Sequence, residues 1–125
     1  MNRPNKQRQS ATIRITDLKL RAIIGIFDWE RTEKQDVIIN VLMEYDAGKA
    51  IKTDKINHAL DYKAITKKII TKVEVSNFFL LEKLADMILN IVMENKKVLK
   101  AQIRVDKPLA LRFAKSVSVE ISAQR

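Results

Sequence analysis

IRITDLKLRAIIGI, residues 13–26, decides the fold class, because its apolar and polar side chains alternate with the period of a β-strand. Ile13 and Ile15 share one face. Leu18, Leu20, Ala22, Ile24 and Ile26 then share a face, with Arg14, Lys19 and Arg21 opposite. The parity slips between Ile15 and Leu18, which places a bulge near Thr16–Asp17. Working outward, a second strand runs over 37–45, with Val37, Ile39, Val41, Met43 and Tyr45 on one face. Ile38 and Leu42 make its other face partly apolar, which suggests that both sides are covered.

The period changes over residues 61–75. Tyr62, Ile65, Ile69 and Val73 form a helical stripe, and Lys63, Lys67, Lys68 and Lys72 lie largely outside it. A second helix is expected near 79–95, capped by Ser76 or Asn77, with Leu81, Leu84, Ile88 and Ile91 buried. Two more strands follow. Leu99, Ala101, Ile103 and Val105 alternate with polar residues, as do Val117, Val119 and Ile121. The order ββααββ predicts an α+β domain, an antiparallel sheet with both helices on one face. Apolar residues on the opposite face would need a partner subunit, so an oligomer is expected. Residues 1–10, polar and basic, read as a flexible arm before a single domain at 11–125.

Composition removes several function classes. No apolar run is long enough to span a bilayer, and the basic start has no apolar segment of the secretory kind, so a cytoplasmic, membrane-free protein is expected. The chain has no cysteine and one histidine, His58, so thiolate chemistry and a Cys- or His-rich metal site are excluded. With two glycines, neither a P-loop nor a GxGxxG loop can be written. The net charge of +9 fits either plain solubility or an anionic partner. RNA would be one such partner, but the chain has no GXXG loop and no aromatic-rich strand of the RNA-binding kind. No nucleic-acid partner is expected.

Four segments in order resemble the dihydroneopterin aldolase and dihydroneopterin triphosphate epimerase family. They are IGIFDWERTEKQ at 24–35, ALDYKAITKKI at 59–69, FFLLEKLAD at 78–86 and VDKPLALRFAKSVSVEI at 105–121. The resemblance spans about 11–123. It implies a tunnelling fold, in which ββααββ subunits join their sheets into a ring-shaped barrel. Two tetrameric rings stack as a homo-octamer, with active sites between subunits. Other tunnelling-fold enzymes depend on zinc or a catalytic cysteine, which this chain cannot supply.

The resemblance also implies roles. Lys107, in the KP segment, would serve proton transfers near the pterin N5 and the reacting hydroxyl. Tyr62 would reach across a subunit interface as a proton donor or hydrogen-bond partner. Glu30 would orient the substrate side chain. Glu82 would anchor the pterin through its amino group and ring N–H, which a carboxylate can accept together. Backbone groups near Leu80 and Leu81 would meet the rest of the ring, and Arg112 would bind substrate phosphate. Each residue also has an ordinary reading: a strand-end lysine, a core tyrosine, a surface glutamate, a first-turn glutamate, a surface ion pair. Phe27 and Trp29 would either wall the flat ring or simply pack, with packing preferred, and His58 is expected to be structural.

Both family activities share a first half. The 2′-hydroxyl loses its proton, the C1′–C2′ bond breaks, and its electrons enter the dihydropterin ring. An aldolase then releases glycolaldehyde and 6-hydroxymethyl-7,8-dihydropterin. An epimerase re-adds the aldehyde on its other face and inverts C2′. IRITDLKLRAIIGI and DKPLALRFAKSVSV look closer to the epimerases, and DWE looks closer to the aldolases. The epimerase is the expected activity and the aldolase the alternative, with no cofactor or metal. A ring protein without catalysis is the remaining option.

Overall fold

The computed structural model describes residues 9–125. Most of the expected N-terminal arm lies outside the described residues. Gln9 and Ser10 belong to the fold: the Gln9 carbonyl accepts from Ala47 N at 2.8 Å, and Ser10 opens the first strand.

The chain runs β1 (Ser10–Ile24), β2 (Gln35–Asp46), α1 (Gly48–Thr53), α2 (Tyr62–Glu74), β3 (Asn77–Phe78), α3 (Leu81–Met93), β4 (Val98–Pro108) and β5 (Ser116–Gln124). The expected ββααββ order is present, with short α1 and β3 added. The sheet order is β3-β1-β2-β4-β5. The long strands are antiparallel, and β3 joins β1 in parallel through Ile23↔Asn77 and Ile24↔Phe78.

The bulge falls where the parity slips, with the β1–β2 register shifting between Ile15 and Leu18. Asp17 takes a left-handed φ of 54°, a conformation that aspartate tolerates better than most residues. Its N–H donates to Asn40 Oδ1 at 2.9 Å, and Asn40 Nδ2 donates back to Asp17 Oδ1 at 3.2 Å. The backbone donor displaced from the ladder is thereby satisfied.

The core lies between the sheet and the two long helices. The alternating set Val37, Ile39, Val41, Met43 and Tyr45 is buried, as are Leu20, Ala22 and Ile24 of β1. Ile65, Ile69 and Val73 bury the α2 stripe against β1. Leu84, Ala85, Ile88, Leu89, Ile91 and Val92 bury α3 against β4 and β5. Each fully buried Val, Leu, Ile or Met side chain among them contributes about 1.5–3 kcal/mol.

Several local expectations are corrected. Helix α3 starts at Leu81 with Leu80 at its N-cap, so neither Ser76 nor Asn77 caps it. The Ser76 hydroxyl instead donates to Val73 O at 2.7 Å, closing the end of α2, and Asn77 lies in β3. Tyr62 belongs to the α2 stripe by spacing but is exposed. Val98, not Leu99, is buried opposite Tyr45, because the β2–β4 register shifts between Glu44 and Tyr45. Ile26 lies beyond the end of β1 and is exposed. The helix-free face is mixed, as the alternation indicates. Ile38 sits between Lys19 and Asp106, and Leu42 between Arg14 and Gln102. The strand edges add to the case for a partner. Among the described residues, β5 pairs on one side only, and β1 has an outer neighbour only at Ile23 and Ile24. Long open edges of this kind are templates for pairing with another chain.

Candidate active site

The site begins where β1 ends. Gly25 adopts φ 131° and turns the chain into a single 3-10 turn at Asp28–Arg31. That turn brings Glu30 back beneath the glycine, where it is 4% exposed. A Cβ on residue 25 would collide with the Glu30 carboxylate, so the close approach requires glycine.

The buried carboxylate is fully engaged. Glu30 Oε1 accepts from Phe27 N at 3.2 Å, and Oε2 accepts from Gln35 Nε2 at 3.1 Å. Oε2 also pairs with Lys107 Nζ. Gln35 is itself fixed by donating to Ile24 O at 2.7 Å. Lys107 projects from the end of β4, and its side chain is 13% exposed, far from the ordinary expectation of a solvated strand-end lysine. Glu30 and Lys107 are 77 residues apart in sequence, so only the sheet order brings them together.

Burial pushes the Glu30 carboxyl up, but hydrogen bonds from Lys107, Gln35 and Phe27 N–H, with the Lys107 charge, outweigh it. Its pKa falls from the ordinary 4.5 to about 2. A group depressed on folding stabilises the native state above its unfolded pKa, and that contribution disappears as the folded pKa is approached. Acidification from pH 5 toward pH 2 is therefore expected to erode wild-type stability. Denaturant titrations over that window should show a flatter loss for Glu30→Gln, which has nothing to protonate there.

A cavity of about 370 Å³ opens over this pair. Its floor is Gly25, Glu30, Gln35 and Lys107, and its walls are Phe27, Trp29 and the segment Phe79–Leu81, with Leu109 and Ala110 at the side. Phe27 and Trp29 are 64% and 56% exposed and line this cavity, so of their two expected readings the cavity wall holds and simple packing does not. The wall is fastened by Arg31, which spacing and composition do not single out. Its guanidinium donates to Gly25 O and Phe78 O at 3.0 Å and to Asn77 O at 2.5 Å. It also lies 4.0 Å from the Phe79 ring centre, where a cation–π contact forms. Arg31 and Gln35 were illegible because most of their acceptors are backbone carbonyls, which leave no sequence signature.

The other expected residues occupy different places. Glu82 follows the lining residues Leu80 and Leu81 in the first turn of α3, with its side chain exposed. Arg112 lies in the exposed β4–β5 loop, with its guanidinium 5.2 Å from the Phe113 ring centre and no ion pair among the described residues. Tyr62 lines another cleft, of about 960 Å³, together with Ile56, Leu60 and Lys63. That cleft is larger but contains neither Glu30 nor Lys107. His58 bonds Thr53 Oγ1 through Nδ1 at 2.6 Å in the turn before α2. No cluster of three or more metal-ligating side chains occurs among the described residues. No described helix is long and apolar enough to cross a membrane.

An aromatic-walled cavity over a buried carboxylate–ammonium pair, at one end of a curled sheet backed by two helices, is the candidate active site of a small α+β enzyme. The chain belongs to the dihydroneopterin aldolase (FolB) family, whose sequence model matches residues 13–122. It is 48% identical over 122 residues to the dihydroneopterin triphosphate 2′-epimerase of Pseudomonas aeruginosa, covering 98% of this chain and 99% of that one. Identity to the dihydroneopterin aldolase of Haemophilus influenzae is 31% over 107 residues, covering 86% and 91%. The crystal structure of Escherichia coli dihydroneopterin aldolase in complex with neopterin superposes with a TM-score of 0.86. There the identity is 28%, with 90% of this chain and 98% of that chain covered. The architecture is accordingly a tunnelling fold.

Proposed function

We propose that this chain is a pterin side-chain epimerase, inverting C2′ of 7,8-dihydroneopterin triphosphate by retro-aldol cleavage and re-addition. One observation carries the reading. The chain that places Lys107 on a buried Glu30 beneath an aromatic-walled cavity is 48% identical to a triphosphate epimerase, against 31% to an aldolase.

The dihydropterin ring lies in the cavity between Trp29, Phe27 and the Phe79–Leu81 wall. Glu82 accepts the ring's amino group and N–H together, and backbone groups at Leu80 and Leu81 meet its other edge. Glu30 stays ionised through the working pH range, so it does not carry the migrating proton. It holds Lys107 Nζ at the cavity floor. Lys107 mediates proton transfer at the 2′-hydroxyl and at N5. Loss of the hydroxyl proton breaks C1′–C2′, and the pair of electrons passes into the ring as N5 is protonated. The aldehyde formed stays bound, turns over and accepts C1′ on its other face. The ring itself holds the electrons, so neither a cofactor nor a metal is required.

Tyr62 lies outside this cavity in its own chain, so it acts in the site of a neighbouring copy. Pairing of the open β5 edge with the open part of β1 would build such a ring, and stacked tetrameric rings make the homo-octamer. Arg112 contacts the phosphate, and the enzyme works in the cytoplasm. The reading is tested by incubating the protein with 7,8-dihydroneopterin and with its triphosphate and resolving the products. A monapterin-type isomer formed mainly from the triphosphate is the expected result. 6-Hydroxymethyl-7,8-dihydropterin with glycolaldehyde from the unphosphorylated compound would make the chain an aldolase.

A further inference from the structure

The cleft that holds Tyr62 carries more charge than a structural role explains. Lys55, Lys63, Lys67 and Lys97 all line it. Lys97 is committed to the fold, because its Nζ donates to Asn57 O and Ala59 O, each at 2.9 Å. The side chains of Lys55, Lys63 and Lys67 have no hydrogen bond or ion pair among the described residues. By contrast Lys68, the next residue on α2, is paired with Glu94. Asp54 and Asp61 also line the cleft, but neither forms an ion pair with these lysines, and Asp61 Oδ1 is occupied in capping α2 through Ala64 N at 3.0 Å.

The placement of two of these lysines works against the stability of the helix. Lys63 and Lys67 are four residues apart on α2 and therefore share a face, where like charges repel. Lys63 is also the second residue of α2, at the end where the helix dipole disfavours a cation. A polyvalent anion in the cleft relieves both penalties at once.

We propose that Lys63 and Lys67, assisted by Lys55, bind the triphosphate of the substrate held in a neighbouring subunit's cavity. This rests on the functional reading above, in which Tyr62 serves that neighbouring site. Lys63 follows Tyr62 directly and Lys67 stands about one turn further on, so both accompany the tyrosine. The phosphates then lie between these lysines and Arg112 of the subunit that holds the ring. The consequence is substrate choice. The two lysines give the phosphorylated pterin an advantage that the unphosphorylated one cannot share.

The test is steady-state kinetics of the full-length protein on 7,8-dihydroneopterin triphosphate and on 7,8-dihydroneopterin. The variants are the double substitution Lys63→Gln/Lys67→Gln and a control, Lys72→Gln, on α2 but outside the cleft. The ratio of kcat/KM for the triphosphate to that for the unphosphorylated compound should fall at least about tenfold in the double variant. The change should lie mostly in KM. Inhibition by inorganic tripolyphosphate should weaken in parallel, and the control should keep both properties. An unchanged ratio in the double variant, or an equal fall in Lys72→Gln, overturns the role of the lysines alone. Wild-type protein that turns over neither pterin overturns the functional reading and this proposal with it.

Discussion

Lys107→Ala is expected to lower pterin turnover by about 10²–10⁴-fold, the range for loss of a positioned proton-transfer group. It should also destabilise the fold. The substitution leaves Glu30, 4% exposed, without its cationic partner. Breaking a buried pair on one side costs about 3–5 kcal/mol, because the remaining charge stays desolvated. The two effects can be separated. The double variant Lys107→Met/Glu30→Gln removes both charges and should regain most of the lost thermal stability while remaining inactive. Kinetics and thermal melting of the three proteins check this. Near-normal turnover in Lys107→Ala would place the chemistry elsewhere.

Gly25→Ala is the second large effect. The φ of 131° is one that L residues rarely adopt, and forcing it costs about 1–3 kcal/mol. The added methyl also meets the Glu30 carboxylate, which Lys107, Gln35 and Phe27 N–H hold in place. Relief comes only by displacing Glu30, and the Lys107 ammonium moves with it. A misplacement of about 1 Å can lower turnover about 10²-fold. The expected outcome is therefore a folded protein with a lowered melting temperature and a much reduced kcat. A variant with wild-type kcat would mean that Lys107 does not depend on Glu30 for its position.

The fold was largely legible because alternation is a one-dimensional signal. Ile13 to Ile24 names the strand, and the slip at Thr16–Asp17 names the bulge. What escaped was decided by tertiary contacts. A cap at Ser76 or Asn77 looks reasonable until Asn77 is drawn into pairing with Ile23, which delays the helix to Leu81. Val98 replaces Leu99 in the core only because the β2–β4 ladder shifts beside Tyr45. The site residues Glu30 and Lys107 were reached by resemblance to a family, and no spacing joins two groups 77 positions apart. The aromatic residues were legible only as a choice between two roles. Phe27 and Trp29 could be read as packing residues or as the wall of a site, and only the turn at Gly25 decides for the wall.

That position makes Trp29 useful in a different sense. It is the one tryptophan in the chain, and it stands at the wall of the cavity. The indole emission of the whole protein therefore originates at a single point beside Phe27 and the Glu30–Lys107 pair. Fluorescence of the unmodified protein is a local optical probe of that cavity, with no background from a second indole. Ring occupancy, side-chain exchange and solvent entry can all be followed there without adding a label.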